Sequence, residues 1–229
     1  MLKKLGVIGG MGPEATSFYY ARVIARTKAE SDQEHINMII LSHATMPDRT
    51  QAILTGNKLP FLKAITQDAR DLEMLGVENI AIPCNTSHYF LESTSVPIIN
   101  MVEESVRYVV EAHPKVKKIG IMGTDGTMQA KTYHRACEKF GITPVVPGEA
   151  CQKDVMSLIY DDIKKGKPGD KNKFDRAYND LKAKGCDAVI LACTEISVFK
   201  EYYQVPDCMD AMDVLVRESI IRSGAEYRE

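Results

Sequence analysis

The chain reads as an α/β protein made of two related halves with parallel sheets, facing each other across a cleft. Two observations predict this. Short apolar runs alternate with amphipathic helical stretches along the whole sequence, the pattern of strand–helix units whose strands lie parallel. The sequence also repeats itself, since Ile80-Ala-Ile-Pro-Cys-Asn-Thr-Ser-His-Tyr-Phe90 has a counterpart in Val189-Ile-Leu-Ala-Cys-Thr-Glu-Ile-Ser197. Each is an apolar run ending in cysteine and then small hydroxyl or amide residues, which predicts a buried strand, a turn and a helix start. The offset of 109 residues from Cys84 to Cys193 also relates Gly76 to Gly185, Val96 to Val205 and Pro97 to Pro206. Lys3-Lys-Leu-Gly-Val-Ile-Gly9 matches Lys117-Lys-Ile-Gly-Ile-Met-Gly123 at an offset of 114, so the halves differ there by a small insertion.

The elements follow in order. Leu5 to Ile8 is a buried strand leading into Gly9-Gly-Met-Gly-Pro13-Glu14, where glycines permit a tight turn and Pro13 with Glu14 suits a first helical turn. The start of that helix is a candidate anion site. A dinucleotide fingerprint is disfavoured, because its third glycine is Ala15 and no strand-end acid follows at the usual distance. Ile36 to Ser42 is the second strand, and the loop after it carries Asp48, Arg49, Thr50 and Gln51 at the end of a parallel sheet, where ligands bind. Arg49 suits a carboxylate through paired hydrogen bonds, or else a solvated pairing with Asp48. Phe61, Leu62, Ile65, Ala69, Leu72 and Leu75 form a helical stripe closed by Gly76 before the first cysteine strand. Pro97 to Asn100 reads as another short strand and Val102 to Ala112 as a helix stopped by Pro114. The second half repeats the plan: strand 118–122, turn 123–127, helix 128–140, amphipathic helices through Val155 to Ile163 and Phe174 to Leu181, the second cysteine strand, and a last helix near 212–221.

A length of 229 residues suffices for one domain or two of about 110, with a substantial core. Hydrophobic and charged fractions of 45% and 26% argue against disorder. A net charge of −2 without a basic block argues against nucleic acid. The first ten residues break at paired glycines, so they read as a strand rather than a signal peptide, and no apolar run is long enough to span a membrane. Six cysteines with no Cys-x-x-Cys pair suggest reduced thiols in a cytoplasm.

Why cysteine at two equivalent strand ends? Helix starts favour an anion, so each thiol is expected below its usual pKa of about 8.5. If a substrate carbon sits between the sulfurs, one thiolate removes its proton from one face while the opposite thiol delivers a proton to the other, inverting a stereocentre without a cofactor. A disulfide would need Cα atoms within about 7 Å. Zinc would need a ligand matching His88 where the second half has Ser197, and hydrolysis would need a triad partner that the sequence does not offer.

Pro83-Cys-Asn-Thr-Ser-His88 and Ala192-Cys-Thr-Glu-Ile196 resemble the two signature motifs of the aspartate/glutamate racemases that work without pyridoxal phosphate, and Gly9-Gly-Met-Gly-Pro13 with Met46-Pro-Asp-Arg49 resembles the aspartate racemase branch. The resemblance runs nearly end to end. It implies two pseudo-symmetric three-layer α/β domains, residues 1–100 with 209–229 and residues 101–208, the active site in the cleft between them, and a homodimer. It implies Cys84 and Cys193 as the acid/base pair, with no cofactor and no metal. It implies Arg49 and a lysine near Lys164, with Lys165 and Lys167 competing, on substrate carboxylates, and Asn85, Thr86, Thr194 and Glu195 beside the cysteines on the α-carboxylate and amine. Met11, Gln51, Thr124 and Thr127 complete the expected pocket. The expected partner is a small dicarboxylic amino acid, foremost aspartate. Glutamate, a broader set of amino acids, or an unsaturated diacid isomerised by the same thiols are the alternatives, with a two-lobed binding protein or a thiol redox sensor outside catalysis.

Overall fold

The computed structural model describes residues 2–91, 97–206 and 208–229, so Val96 of the repeat lies outside the described residues. In the first half, β1 (Leu5–Gly9), α1 (Pro13–Arg26), β2 (Met38–Ser42), α2 (Arg49–Thr55), α3 (Leu59–Met74) and β3 (Asn79–Ala81) are followed by a single 3-10 turn at Asn85–Tyr89 and by α4 (Met101–Ala112). The second half holds β4 (Lys118–Gly123), α5 (Asp125–Ala130), α6 (Thr132–Lys139), β5 (Thr143–Val145), α7 (Glu149–Ser157), α8 (Lys171–Ala183), β6 (Ala188–Ala192), α9 (Thr194–Phe199), β7 (Met209–Asp210) and α10 (Ala211–Arg222). Among the described residues no helix is long and apolar enough to cross a membrane.

Both sheets are parallel, with strand orders β2-β1-β3 and β5-β4-β6-β7. The first three strands of each match one for one, so the repeat in the sequence is a repeat in topology. The expected strand at Pro97–Asn100 is a single bridge, Ile80 to Ile98, beside β3, where β7 stands beside β6 in the second sheet. The central strands are glycine-containing for one reason in both halves. A Cβ on Gly6 would lie 3.0 Å from Leu72 Cδ1 and 3.1 Å from a Val77 methyl, and one on Gly120 would lie 3.0 Å from Leu181 Cδ1 and 3.3 Å from Cys186 Sγ. Leu72 and Leu181, and Val77 and Cys186, stand at the same 109-residue offset as the cysteines. Each half thus presses a helix against its central strand at the same place.

Three local readings change. The expected loop at residues 48–51 is the start of α2, because the Asp48 side chain accepts a hydrogen bond from the Gln51 N–H and caps the helix. The helix expected at 128–140 begins earlier, where Thr124 caps α5 through the Thr127 N–H, and breaks at Lys131, whose φ of 53° is left-handed. Met209–Asp210 stay paired with β6, two residues past the boundary expected at 208.

From Ala211 the chain returns. Helix α10 packs against α1 and α4 and touches both sheets. The Tyr19 hydroxyl donates to Ser219 Oγ at 2.6 Å, the Asn79 amide donates to the Arg222 carbonyl at 3.2 Å, and Tyr227 bridges Thr27. Leu215, Val216 and Ile220 are buried there.

Candidate active site

The two cysteines occupy equivalent backbone positions. Cys84 precedes the Asn85–Tyr89 turn with φ −160° and ψ 106°, and Cys193 precedes α9 with φ −150° and ψ 130°. Both are extended residues at the change from strand to helix, and both are free thiols, each buried at 6% exposure. They line one chamber with Met11, Arg49, Asn85 and Thr86 from the first half and Thr124, Lys164, Thr194 and Glu195 from the second. Its free volume is about 10 Å³, room for roughly one water. Met11, Arg49, Lys164 and Glu195 also line an outer cavity of about 530 Å³ floored by the Gly10–Ala15 turn, so these four stand between chamber and solvent.

The halves meet through hydroxyls. Thr86 Oγ1 lies 3.1 Å from Thr124 Oγ1 and 3.0 Å from Thr127 Oγ1, and the latter two are 3.2 Å apart. Across the same boundary the Tyr133 hydroxyl donates to Asn85 Oδ1 at 2.6 Å, which fixes the amide with its nitrogen free. Ser87 Oγ donates to Met11 Sδ at 3.4 Å and holds that side chain over the site.

The two sulfurs have different charged neighbours. The Cys193 thiol donates to Glu195 Oε2 at 2.9 Å. Burial first, then the Glu195 carboxylate, pushes this thiol well above its ordinary pKa, against the pull of Lys164. The expectation that a helix start lowers both thiols therefore fails at Cys193, because desolvation and an adjacent carboxylate outweigh a six-residue helix. Arg49 lies on the Cys84 side. Burial opposes its charge, but Cys84, then Asp48 and Glu195, raise it. Its Nη2 donates to the Met11 carbonyl at 3.3 Å.

Lys164 is the lysine of this site. Its Nζ lies 3.4 Å from Glu195 Oε1 and 4.6 Å above the Tyr160 ring, whereas Lys165 pairs with Asp161 and Lys167 donates to the Asp161 carbonyl. Burial weakens the Lys164 charge, and Glu195, Cys193 and Tyr160 more than restore it. Gln51 is not brought in: it is exposed on α2, where its backbone N–H donates to the Asp48 cap and its carbonyl accepts from the Thr55 hydroxyl. Tyr160 is a chamber residue that the sequence reading missed, whereas Thr50, named there with residues 48–51, lines the chamber as well. Burial raises the Tyr160 phenol to about 12, so it stays a neutral donor, and it donates to Asp48 Oδ2 at 3.2 Å.

Two donors at the chamber, Arg49 Nε and Asn85 Nδ2, are buried without a hydrogen-bond partner, and Glu195 Oε1 has only its ion pair with Lys164. These two donors and the Glu195 carboxylate line the chamber that both sulfurs share, and they complement a carboxylate and an ammonium.

The Asp/Glu/hydantoin racemase family profile matches residues 8–219. The chain belongs to this family. It is 30% identical over 210 residues to the broad-specificity amino-acid racemase RacX of Bacillus subtilis, spanning 87% of this chain and 88% of that protein. Among solved structures, the aspartate racemase of Picrophilus torridus superposes with a TM-score of 0.83 at 26% identity, covering 99% of this chain and 96% of the other. An aspartate racemase homologue from Pyrococcus horikoshii superposes with a TM-score of 0.75 at 24% identity, covering 97% of this chain and 99% of the other. The fold of this racemase is thus the two-sheet architecture of its family, and the enzyme is an isomerase.

Proposed function

We propose that this racemase interconverts the enantiomers of aspartate by a two-base reaction between Cys84 and Cys193. The observation that carries the reading is the chamber lined by both thiols, continuous through Met11, Arg49, Lys164 and Glu195 with the outer cavity of about 530 Å³. Its two unpartnered donors, Arg49 Nε and Asn85 Nδ2, and the Glu195 carboxylate match a zwitterion. Leaving such atoms unpaired costs on the order of 1–3 kcal/mol each, which a bound amino acid recovers.

The α-proton of an amino acid is weakly acidic, so negative charge that develops on its carboxylate must meet pre-arranged donors. Arg49 and the free Asn85 amide supply them, while Glu195 keeps the ammonium protonated. In one direction, the sulfur on the Arg49 side acts as thiolate and the sulfur hydrogen-bonded to Glu195 delivers the proton. The reverse direction exchanges the roles. Lys164 is the second cation of the chamber, and a β-carboxylate displaces its contact with Glu195. This favours a dicarboxylate.

The likeness to RacX supports a broader reading, in which Lys164 stays with Glu195 and neutral side chains are accepted. Polarimetry of each L- and D-amino acid with purified, reduced protein and no added cofactor separates the two. Loss of rotation for aspartate well ahead of alanine, serine and glutamate is the expected result; equal rates across the set give the broader reading. Cys84→Ala and Cys193→Ala each abolish turnover in both directions.

A further inference from the structure

A second polar cavity lies behind the Cys84 segment and shares no lining residue with the chamber. It has a volume of about 210 Å³ and is lined by His88, Asn100 and Glu103 from one side and Thr132, Arg135 and Lys139 of α6 from the other. Two of its polar atoms, His88 Nδ1 and Thr132 Oγ1, are buried without a partner, and Thr132 is 7% exposed. Such orphan groups are uncommon in folded proteins and call for an explanation.

The hydrogen-bond roles can be assigned. His88 Nε2 faces the Ile82 carbonyl at 3.3 Å, and a carbonyl only accepts, so Nε2 carries the hydrogen. Burial lowers the imidazole to about 4, so the ring is neutral near pH 7. Nδ1 is then a lone-pair acceptor that needs a donor. The cations point the other way. Lys139 is paired with Glu103 at 3.0 Å, while Arg135 has no ion-pair partner among the described residues and lies 5.9 Å from the centre of the Tyr89 ring. One unmatched guanidinium, one buried hydroxyl and one imidazole acceptor therefore face the same space.

We propose that this cavity binds a small oxyanion that also carries an O–H donor, of the hydrogen-phosphate class. The oxyanion takes hydrogen bonds from Arg135 and Thr132 Oγ1, and its O–H donates to His88 Nδ1. The site is coupled to catalysis by two neighbours. His88 shares the 3-10 turn of Asn85 and Thr86, and Thr132 precedes Tyr133, whose hydroxyl holds the Asn85 amide. Occupancy fixes that turn against α6.

The test is calorimetric titration of the full chain with inorganic phosphate and with sulfate at pH 7.5 and constant ionic strength. Sulfate has the same shape but no O–H to give at this pH. The expected result is one phosphate site per chain, at least tenfold preference for phosphate over sulfate, and at least tenfold weaker phosphate binding in Arg135→Gln. Thr132→Val, which keeps the shape of the side chain, weakens phosphate in the same way. Neither substitution touches the chamber, so neither changes the turnover of aspartate in phosphate-free buffer, whatever the true substrate preference. Equal affinity for sulfate, unchanged phosphate binding in Arg135→Gln, phosphate binding displaced by substrate, or no heat from phosphate at all would each overturn the proposal.

Discussion

At the scale of single residues, the asymmetry between the two sulfurs follows from their neighbours. Cys193 keeps its proton because it is buried and hydrogen-bonded to Glu195, so a reaction that needs this thiol protonated fails once pH exceeds its raised pKa. Glu195→Gln removes the negative charge and leaves burial. The Cys193 pKa then falls, and the basic limb of the kcat/KM profile moves to lower pH; a limb that does not move, or moves upward, contradicts the assignment. The position of the limb is the readout, since the substitution also weakens the ammonium contact and lowers the rate. What sequence showed of the site was the backbone-determined part: residues adjoining the two cysteines reach the chamber because the strand ends carry them there. Gln51 is not in the chamber because a helix, not a loop, follows Asp48, and two residues past Arg49 it lies about half a turn round α2, toward solvent, while Arg49 and Thr50 face inward. Tyr160 was hidden because a π-helical stretch, Leu158–Asp162, carries it, and such stretches have no clear signal in residue pattern.

At the scale of elements, the chamber depends on how closely α5 approaches α2. Gly126 of α5 permits this: a Cβ there would lie 2.8 Å from the Thr50 Cα, a backbone atom that cannot rotate away. Gly126→Ala must push α5 outward and draw Thr124 and Thr127 from Thr86. A misplacement of a few tenths of an ångström to 1 Å costs on the order of ten- to a hundredfold in kcat/KM, with about 1–3 kcal/mol of stability from overpacking. Steady-state kinetics and thermal denaturation measure both, and wild-type kcat/KM would show that the α2–α5 contact does not shape the chamber. The elements that the sequence announced were the long amphipathic helices and the apolar strands, whose periodicity is set by burial. Short elements escaped it. The three-residue strand β5 and the two-residue strand β7 are too brief for any alternation, and the break between α5 and α6 falls at Lys131, where neither proline nor glycine marks it.

At the scale of the whole molecule, the two sheets are repeats joined by α10, which returns to pack on α1 while still touching the second sheet. A shared buried helix makes one half hard to unfold without the other. We therefore expect a single cooperative transition in urea, and Leu215→Ala, which empties a fully buried position, to lower its stability by about 2–5 kcal/mol without splitting it. Two resolved transitions would mean that the halves fold as separate units. On the proposed two-base reading the repeat has a chemical consequence, since equivalent strand ends would offer the same residue type to opposite faces of a substrate, which is what inversion at one carbon requires. The most direct test follows the fate of the α-proton when L-aspartate is converted in D₂O. With two bases, one thiolate removes the α-proton and the other sulfur, carrying deuterium from solvent, completes the product. Proton NMR early in the reaction should then show D-aspartate formed with deuterium at Cα while the remaining L-aspartate keeps its hydrogen. Deuterium entering the remaining L-aspartate as fast as product forms would mean that one base serves both faces, and would contradict the account.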